Sequence, residues 1–400
     1  GTANFTMDLM GEGAGKLGAL PFANAADALG ATLGASASLD SASVYLSALK
    51  ENLAPSLALY ADMLRQPRFE QGEIDRVKAT WIAGIQQEKV NPSAAAMRVM
   101  PALLYGAGHP YAIPFTGSGN EADIQSLTRE DLVAFHRDAL RPEQGTLIVV
   151  GDTTLKDIVP LLERQFGDWK STGTAPQVKA PADVPRPTHA RVYLIDQPGA
   201  VQANLFASQL VPSAMDPGST RFDIANGVLG GDFTSRLNMN LREEKHWSYG
   251  AGSSAPATLG QRPWGARAPV QIDKTAESMQ ELQKDIRDFA SGAKPATAAE
   301  VARIRNIQTL SLPGAYETAS AVLGTISGIV RYQRPDDYVF KRKAEIEAMT
   351  PAQVQQAAAT LDPKTLTWVV VGDLKQTEAP VRALNLGEVT IIDADGKPVK

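Results

Sequence analysis

Apolar positions recur along this chain at two periods, and the switches between them mark its elements. Leu53, Leu57, Tyr60 and Leu64 fall on one helical face. So do Ile74, Val77, Trp81 and Ile85, until Asn91-Pro92 ends the run. Ala190 to Asp196 reads as a strand, and Val201 to Leu210 as a second that alternates polar and apolar side chains. Helices are expected from Phe222 to Leu229 and from Thr234 to Arg242, around a Gly230-Gly231 break. Strands are expected from Trp247 to Ser254 and Ala266 to Ile272. Long helices follow at about 275–290, 297–310 and 317–332.

One pattern occurs twice. Leu127-Thr-Arg-Glu-Asp131 opens a helix that is followed by Thr146-Leu-Ile-Val-Val-Gly-Asp152. Met349-Thr-Pro-Ala-Gln353 opens another, followed by Thr367-Trp-Val-Val-Val-Gly-Asp373. Thr128 and Thr350 lie 222 positions apart, Asp152 and Asp373 221, so the chain reads as an internal duplication. Each copy predicts a Thr-capped helix and a buried strand that ends in Gly-Asp. The stretch from Ser171 to Thr188 carries four prolines and almost no large apolar residue, which is linker composition. The expected organisation is a first domain at 1–170, a linker at 171–188 and a second domain at 189–400. Each domain is expected to be α+β, with a mixed, largely antiparallel sheet flanked by helices.

Composition narrows the chemistry. With 400 residues, 44% hydrophobic and 21% charged, the chain suits two soluble globular domains. A net charge of −5 gives no footprint for nucleic acid, and no apolar run is long enough to span a bilayer. The absence of cysteine removes thiol catalysis, Cys-ligated zinc and disulfides, and fits cytoplasm and periplasm equally. No leader is visible, but the chain opens inside a motif, so its natural N-terminus is expected further upstream.

Most local signals have a plain reading. Gly11-Glu-Gly-Ala-Gly15 follows no strand and lacks Gly-Lys-Ser/Thr, so it is a turn rather than a phosphate loop. His109, His136, His189 and His246 are too scattered to share a helical face and read as structural or surface residues. Gly230-Gly231 permits close packing or a kink. Asp152 and Asp373 are expected to cap the turns that follow their strands. Ser36 to Leu46 reads as an edge strand with a structural role. No Gly-x-Ser-x-Gly is present. Spacing alone reads Arg242 as a solvated helix residue and Tyr249 as one packed in a sheet.

Several segments together resemble the pitrilysin/insulinase family of zinc metallopeptidases, the inverted zincins with His-x-x-Glu-His. They are Gly1 to Met10, Leu64-Arg-Gln-Pro-Arg-Phe69, the Arg76 to Pro92 helix, Tyr105-Gly106 with His109-Pro110, the Leu127 to Asp152 unit, and Leu229-Gly-Gly-Asp-Phe-Thr-Ser-Arg-Leu237 followed by Leu241-Arg-Glu-Glu. The resemblance covers nearly the whole chain and implies a mitochondrial-processing-peptidase-like metallohydrolase fold. Family members place one more strand ahead of the metal box, whereas this sequence begins at the box itself. In the family's register the two His ligands fall on Asn4 and Asp8, the catalytic Glu on Met7, and the third ligand on Gly84. An amide, a thioether, one carboxylate and a glycine do not make a tight zinc site. By contrast, the family's Arg and Tyr, seven residues apart, match Arg242 and Tyr249. The resemblance implies that these donate hydrogen bonds to a substrate carbonyl and its developing oxyanion, with Arg242 at a helix C-terminal end and Tyr249 at the start of a strand.

The expectation is therefore a non-catalytic half of a zinc metalloendopeptidase. It would help enclose a peptide substrate and supply Arg242 and Tyr249 in trans, with zinc in a homologous partner half, fused upstream or separate. A bacterial periplasm fits the resemblance. The competing reading is a peptide-binding or scaffold module outside proteolysis, and a third is an independent hydrolase with a noncognate metal. Neither nucleic acid nor a membrane span enters any of the three.

Overall fold

The computed structural model describes residues 1–173, 175 and 181–399. Part of the Pro-rich stretch, Thr174 and residues 176–180, lies outside the described residues. The chain forms two compact units. The first comprises Gly1–Gln87, Thr116–Lys179 and Thr318–Arg331, the second Glu88–Phe115, Ala180–Glu317 and Tyr332–Lys400. The division near residue 180 falls in the expected linker. Residues 88–115 and 318–331, however, each belong to the unit of the opposite sequence half.

In the first unit, strands β1 (Thr32–Ala37) and β2 (Ala42–Ser47) form an antiparallel hairpin. The expected single strand from Ser36 to Leu46 is thus a reversal. The Ser38 amide donates to the Ser41 carbonyl at 2.8 Å and turns the chain between the two strands. A short ladder pairs Gly13–Ala14 with Leu17–Gly18. Helices Leu53–Arg65 and Gln71–Val90 follow the apolar periodicity of the sequence. Phe5, Met7, Leu9, Met63, Ile74, Ile85 and Leu132 are buried in one apolar cluster, the main stabilising term for such a unit.

In the second unit six strands form one mixed sheet. They are β3 (Arg191–Asp196), β4 (Gln202–Val211), β5 (Gly252–Ser254), β6 (Arg262–Gln271), β7 (Thr367–Gly372) and β8 (Glu388–Ile391). The order is β8-β3-β7-β4-β6-β5. β8 and β7 run parallel to β3, and the other neighbours pair antiparallel. Every residue of β7 is buried, as expected of a central strand with a continuous apolar run, Trp368 to Val371. Helix Thr275–Ala290 packs Met279, Leu282, Ile286 and Phe289 into the same core as Trp264 and Trp368.

The repeated caps are present. Thr128 forms a capping box with Asp131, and Thr350 forms one with Gln353. Asp373 caps the helix that follows β7 by accepting from the Lys375 amide at 3.0 Å. Its counterpart Asp152 does not cap. It is exposed and pairs with Lys50 at 2.7 Å, and Thr154 caps the next helix instead. The expected strand at Thr146–Gly151 does not form either, because among the described residues no strand lies beside it. Leu147 and Val149 stay exposed.

Candidate functional site

Helix Thr2–Leu9 carries Asn4, Met7 and Asp8, the residues expected to stand at the metal-box positions. Asn4 and Asp8 are four residues apart and share a face, but Asn4 is already engaged. Its Oδ1 accepts from the Ala37 amide at 3.0 Å, and its Nδ2 donates to the Gly117 carbonyl at 3.1 Å. Gly117 has φ of +77°, and a Cβ there would collide with Asn4 Nδ2. Asn4 is therefore a cross-link between the helix, the end of β1 and a glycine loop.

Met7 is fully buried in the core of the first unit. Asp8 is exposed, and its carboxyl is pushed up, first by partial desolvation, then by Glu12, against the opposing charge of Arg76. Gly84 lies exposed on helix Gln71–Val90, and a side chain there would meet open space. The donors at the four positions are thus an occupied amide, a buried thioether, one carboxylate and no side chain. They do not fit zinc, which takes Cys, His or carboxylate ligands in a tetrahedral set. Among the described residues no three His, Cys, Asp or Glu side chains are grouped to hold a metal.

The Arg242–Tyr249 segment belongs to the second unit. A helical turn, Arg236–Asn238, runs into a π-helical segment, Met239–Glu244. The wide turn closes with the Lys245 amide on the Asn240 carbonyl at 2.9 Å, a geometry frequent at functional sites. Arg242 is half-exposed. Its guanidinium lies 4.7 Å from the centroid of the exposed Phe233 ring, and its Nε is 3.3 Å from Glu243. Tyr249 is 86% exposed. The phenol is thus free to meet another molecule, and the reading of Tyr249 as a packed sheet residue is overturned.

Tyr249 also does not start a strand. His246 takes φ of +57°, and its Nδ1 lies 3.0 Å from the Arg242 carbonyl. The Trp247 and Ser248 amides both donate to the Leu241 carbonyl. Ser248 Oγ lies within hydrogen-bond reach of the carbonyls of Pro269 (2.5 Å) and Gly250 (2.9 Å), its one proton serving either, and an isolated bridge from Ser248 to Val270 precedes β5. These bonds hold Arg242 and Tyr249 on one short, stitched segment beside β6.

The anchors beneath it went unread in the sequence. Asn238 donates to the Phe233 carbonyl at 2.6 Å and accepts from the Ala251 amide at 3.0 Å. Asn240 donates to Glu281 at 2.9 Å and to Asp285 at 2.8 Å. Burial raises the Asp285 carboxyl, the Asn240 hydrogen bond opposes this, and the Glu281 charge adds to the rise. Burial also works to raise Glu281, but hydrogen bonds from Asn240 and Lys284 leave it lowered. Arg236 donates to both Glu300 oxygens at 2.7 Å. Asn238 and Asn240, polar residues between Leu237 and Leu241, were the available signal. Gly230 packs as expected: a Cβ there would collide with Ser253 Oγ and lie 2.7 Å from the Ser253 amide nitrogen.

The histidines have structural partners. His109 lies between the Tyr111 amide and the Ala182 carbonyl, and is stacked on Tyr105. His136 Nε2 is 2.8 Å from the Leu64 carbonyl, and burial lowers its pKa.

Two models of one peptidase family match most of the chain. The insulinase (peptidase family M16) model covers residues 1–107 and the peptidase M16 inactive domain model residues 126–308. The chain belongs to the insulinase, or M16, peptidase family. Among its relatives, an uncharacterized zinc protease of Mycobacterium leprae is 24% identical over 72% of this chain and 64% of its own length. The human mitochondrial-processing peptidase subunit beta is 22% identical over 77% of this chain and 63% of its own. The chain thus spans less than two thirds of the length of these relatives. The fold matches the M16 inactive domain structure from Pseudomonas fluorescens with a TM-score of 0.84, 23% identity, and coverage of 93% of this chain and 88% of that one. A protease from Helicobacter pylori also matches at 0.84, with 19% identity and coverage of 92% and 89%.

Proposed function

We propose that this chain is the non-catalytic half of a zinc metalloendopeptidase. It helps enclose a peptide held by a zinc-bearing homologous half and offers Arg242 and Tyr249 to that peptide's carbonyl oxygens. The observation that carries the reading is one-sided. The four metal-box positions have been given over to packing, hydrogen bonding or open space, whereas Arg242 and Tyr249 stay exposed on a segment stitched by hydrogen bonds. A phenol that is 86% exposed and a half-exposed guanidinium, held among the described residues only by Glu243 and the Phe233 ring, are donors suited to oxygen atoms of a bound peptide. Relatives named as peptidase subunits make a partnered arrangement the natural one for this chain.

The test mixes the chain with its zinc-bearing partner half and follows cleavage of a fluorogenic peptide. Arg242→Ala and Tyr249→Phe should each lower kcat/KM by about 10²–10³, the usual effect of removing one oxyanion donor. Unchanged kcat/KM in both variants would refute the proposal.

A further inference from the structure

Phe233 is 58% exposed, yet the backbone that carries it is fastened on both sides. Ahead of it, the Asp232 carboxylate accepts from the Thr234 hydroxyl at 2.7 Å and from the Thr234 amide at 3.2 Å. The same carboxylate lies 3.5 Å from Arg303, on helix Ala298–Leu310, and Arg303 donates to the Thr234 carbonyl at 3.1 Å. Behind it, the Asn238 side chain donates to the carbonyl of Phe233 itself at 2.6 Å. A lone apolar side chain on a surface calls for no explanation. One whose ring is left to solvent by a backbone pinned in this way is placed.

The frame also sets the ring beside the two donors. The Arg242 guanidinium lies over one face of Phe233, 4.7 Å from the centroid, within cation–π reach. Asn238 is buried, and while its Nδ2 holds the Phe233 carbonyl its Oδ1 accepts from the Ala251 amide at 3.0 Å, two residues past Tyr249. One amide side chain therefore spaces the Phe233 loop from the Tyr249 segment. Met239, in the π-helical segment that carries Arg242, is exposed as well. Apolar surface thus borders a pair of polar donors. That is the general make-up of a ligand site, in which a few polar groups fix orientation and apolar side chains supply contact.

We infer that Phe233 contacts the bound peptide and selects an apolar side chain next to the carbonyl that Arg242 engages. The inference rests on the reading of Arg242 and Tyr249 as donors to peptide carbonyls, and adds to it a preference in the substrate. The open part of the ring packs against an aliphatic or aromatic side chain. A glycine leaves that surface wet, and an aspartate has to be desolvated against it. Asn238 is a positioning residue, which keeps the ring and the phenol at a fixed separation.

The test mixes the intact chain with its zinc-bearing partner half and follows cleavage of fluorogenic peptides. The peptides carry Phe, Leu, Gly or Asp at each of the two residues on either side of the scissile bond. At one of these positions the wild type should favour Phe and Leu over Gly in kcat/KM by about tenfold or more. Phe233→Ala should bring that ratio close to one, whereas Phe233→Tyr, which keeps the ring, should preserve it. Phe340→Ala, which trims an exposed phenylalanine on helix Tyr338–Glu347 of the same unit, should leave the ratio as it is. Arg242→Ala should lower kcat/KM for all four side chains. A ratio unchanged in Phe233→Ala, a ratio lost equally in Phe340→Ala, or no apolar preference at any position would overturn the inference. If Arg242→Ala and Tyr249→Phe are nevertheless impaired in those cases, the proposed function stands without it. If neither variant is impaired, both fall.

Discussion

Arg236 begins the helical turn that leads to Arg242, and Glu300 holds it in place. The carboxylate accepts two hydrogen bonds from Arg236 and two from the amide and hydroxyl of Thr297, where it closes the capping box of helix Ala298–Leu310. Both side chains of the ion pair are only 19% exposed. Burial works to raise the Glu300 pKa, but the Arg236 and Thr297 bonds prevail and leave it lowered from 4.5 to about 2. A depressed carboxylate contributes stability that is fully present above its unfolded pKa and is lost as pH falls through its folded value. For Glu300 the window runs from about pH 4.5 down to about 2. At about 1.4 kcal/mol for each pH unit between the two values, the upper bound is about 3 kcal/mol, and partial solvent screening reduces this to about 2 kcal/mol.

Glu300→Gln keeps the shape and removes the charge. It should cost the second unit about 2 kcal/mol at pH 7. Urea unfolding read by pulsed hydrogen exchange follows the two units separately, which matters because a chain of two units need not unfold in one step. The gap between wild type and Glu300→Gln should be constant from pH 7 to about 5, then narrow steadily towards pH 3. A gap that is as wide at pH 3 as at pH 7 would refute the electrostatic reasoning. A gap near zero at pH 7 would show that the pair adds nothing net. Because Arg236 leads into the π-helical segment, the same variant should also weaken protection of the amides from Met239 to Lys245.

Three further outcomes test the rest. Asn4→Ala removes the bonds to Ala37 and Gly117 and should destabilise the first unit by about 1–3 kcal/mol, with faster exchange at the Ala37 amide; no change at Ala37 would contradict the cross-link. Met7→Glu should not revive a metal site but should destabilise the first unit by about 3 kcal/mol or more, since it trades a buried thioether for a carboxyl in an apolar core, and a thermal melt matching wild type would refute this. Gly230→Ala forces a methyl against Ser253, 2.7 Å from its amide nitrogen, and should cost about 1–3 kcal/mol in the second unit; a neutral result in chemical denaturation would mean the local packing yields.

What the amino-acid order determined by itself was local. Helices Leu53–Arg65 and Thr275–Ala290, strands β3 and β4, and the Thr128 and Thr350 capping boxes follow from side-chain period and cap chemistry, which act within a few residues. The duplication was legible because repetition is a property of the order. So was the lack of a metal-binding set among Asn4, Met7, Asp8 and Gly84, the positions expected to match the family's metal box, which is a matter of residue type. Tertiary structure decided whatever required a neighbour distant in sequence. Thr146–Gly151 and Thr367–Gly372 have nearly the same pattern, yet only the second is a strand, because only it has β3 and β4 beside it to take its backbone hydrogen bonds. The two units exchange segments that the linear map assigned to single domains. Tyr249 is exposed rather than packed because His246 and Ser248 divert the chain before β5 begins. The anchors Asn238, Asn240 and Glu300 owe their roles to partners brought near only by folding, and side-chain type alone does not reveal a partner that is many residues away.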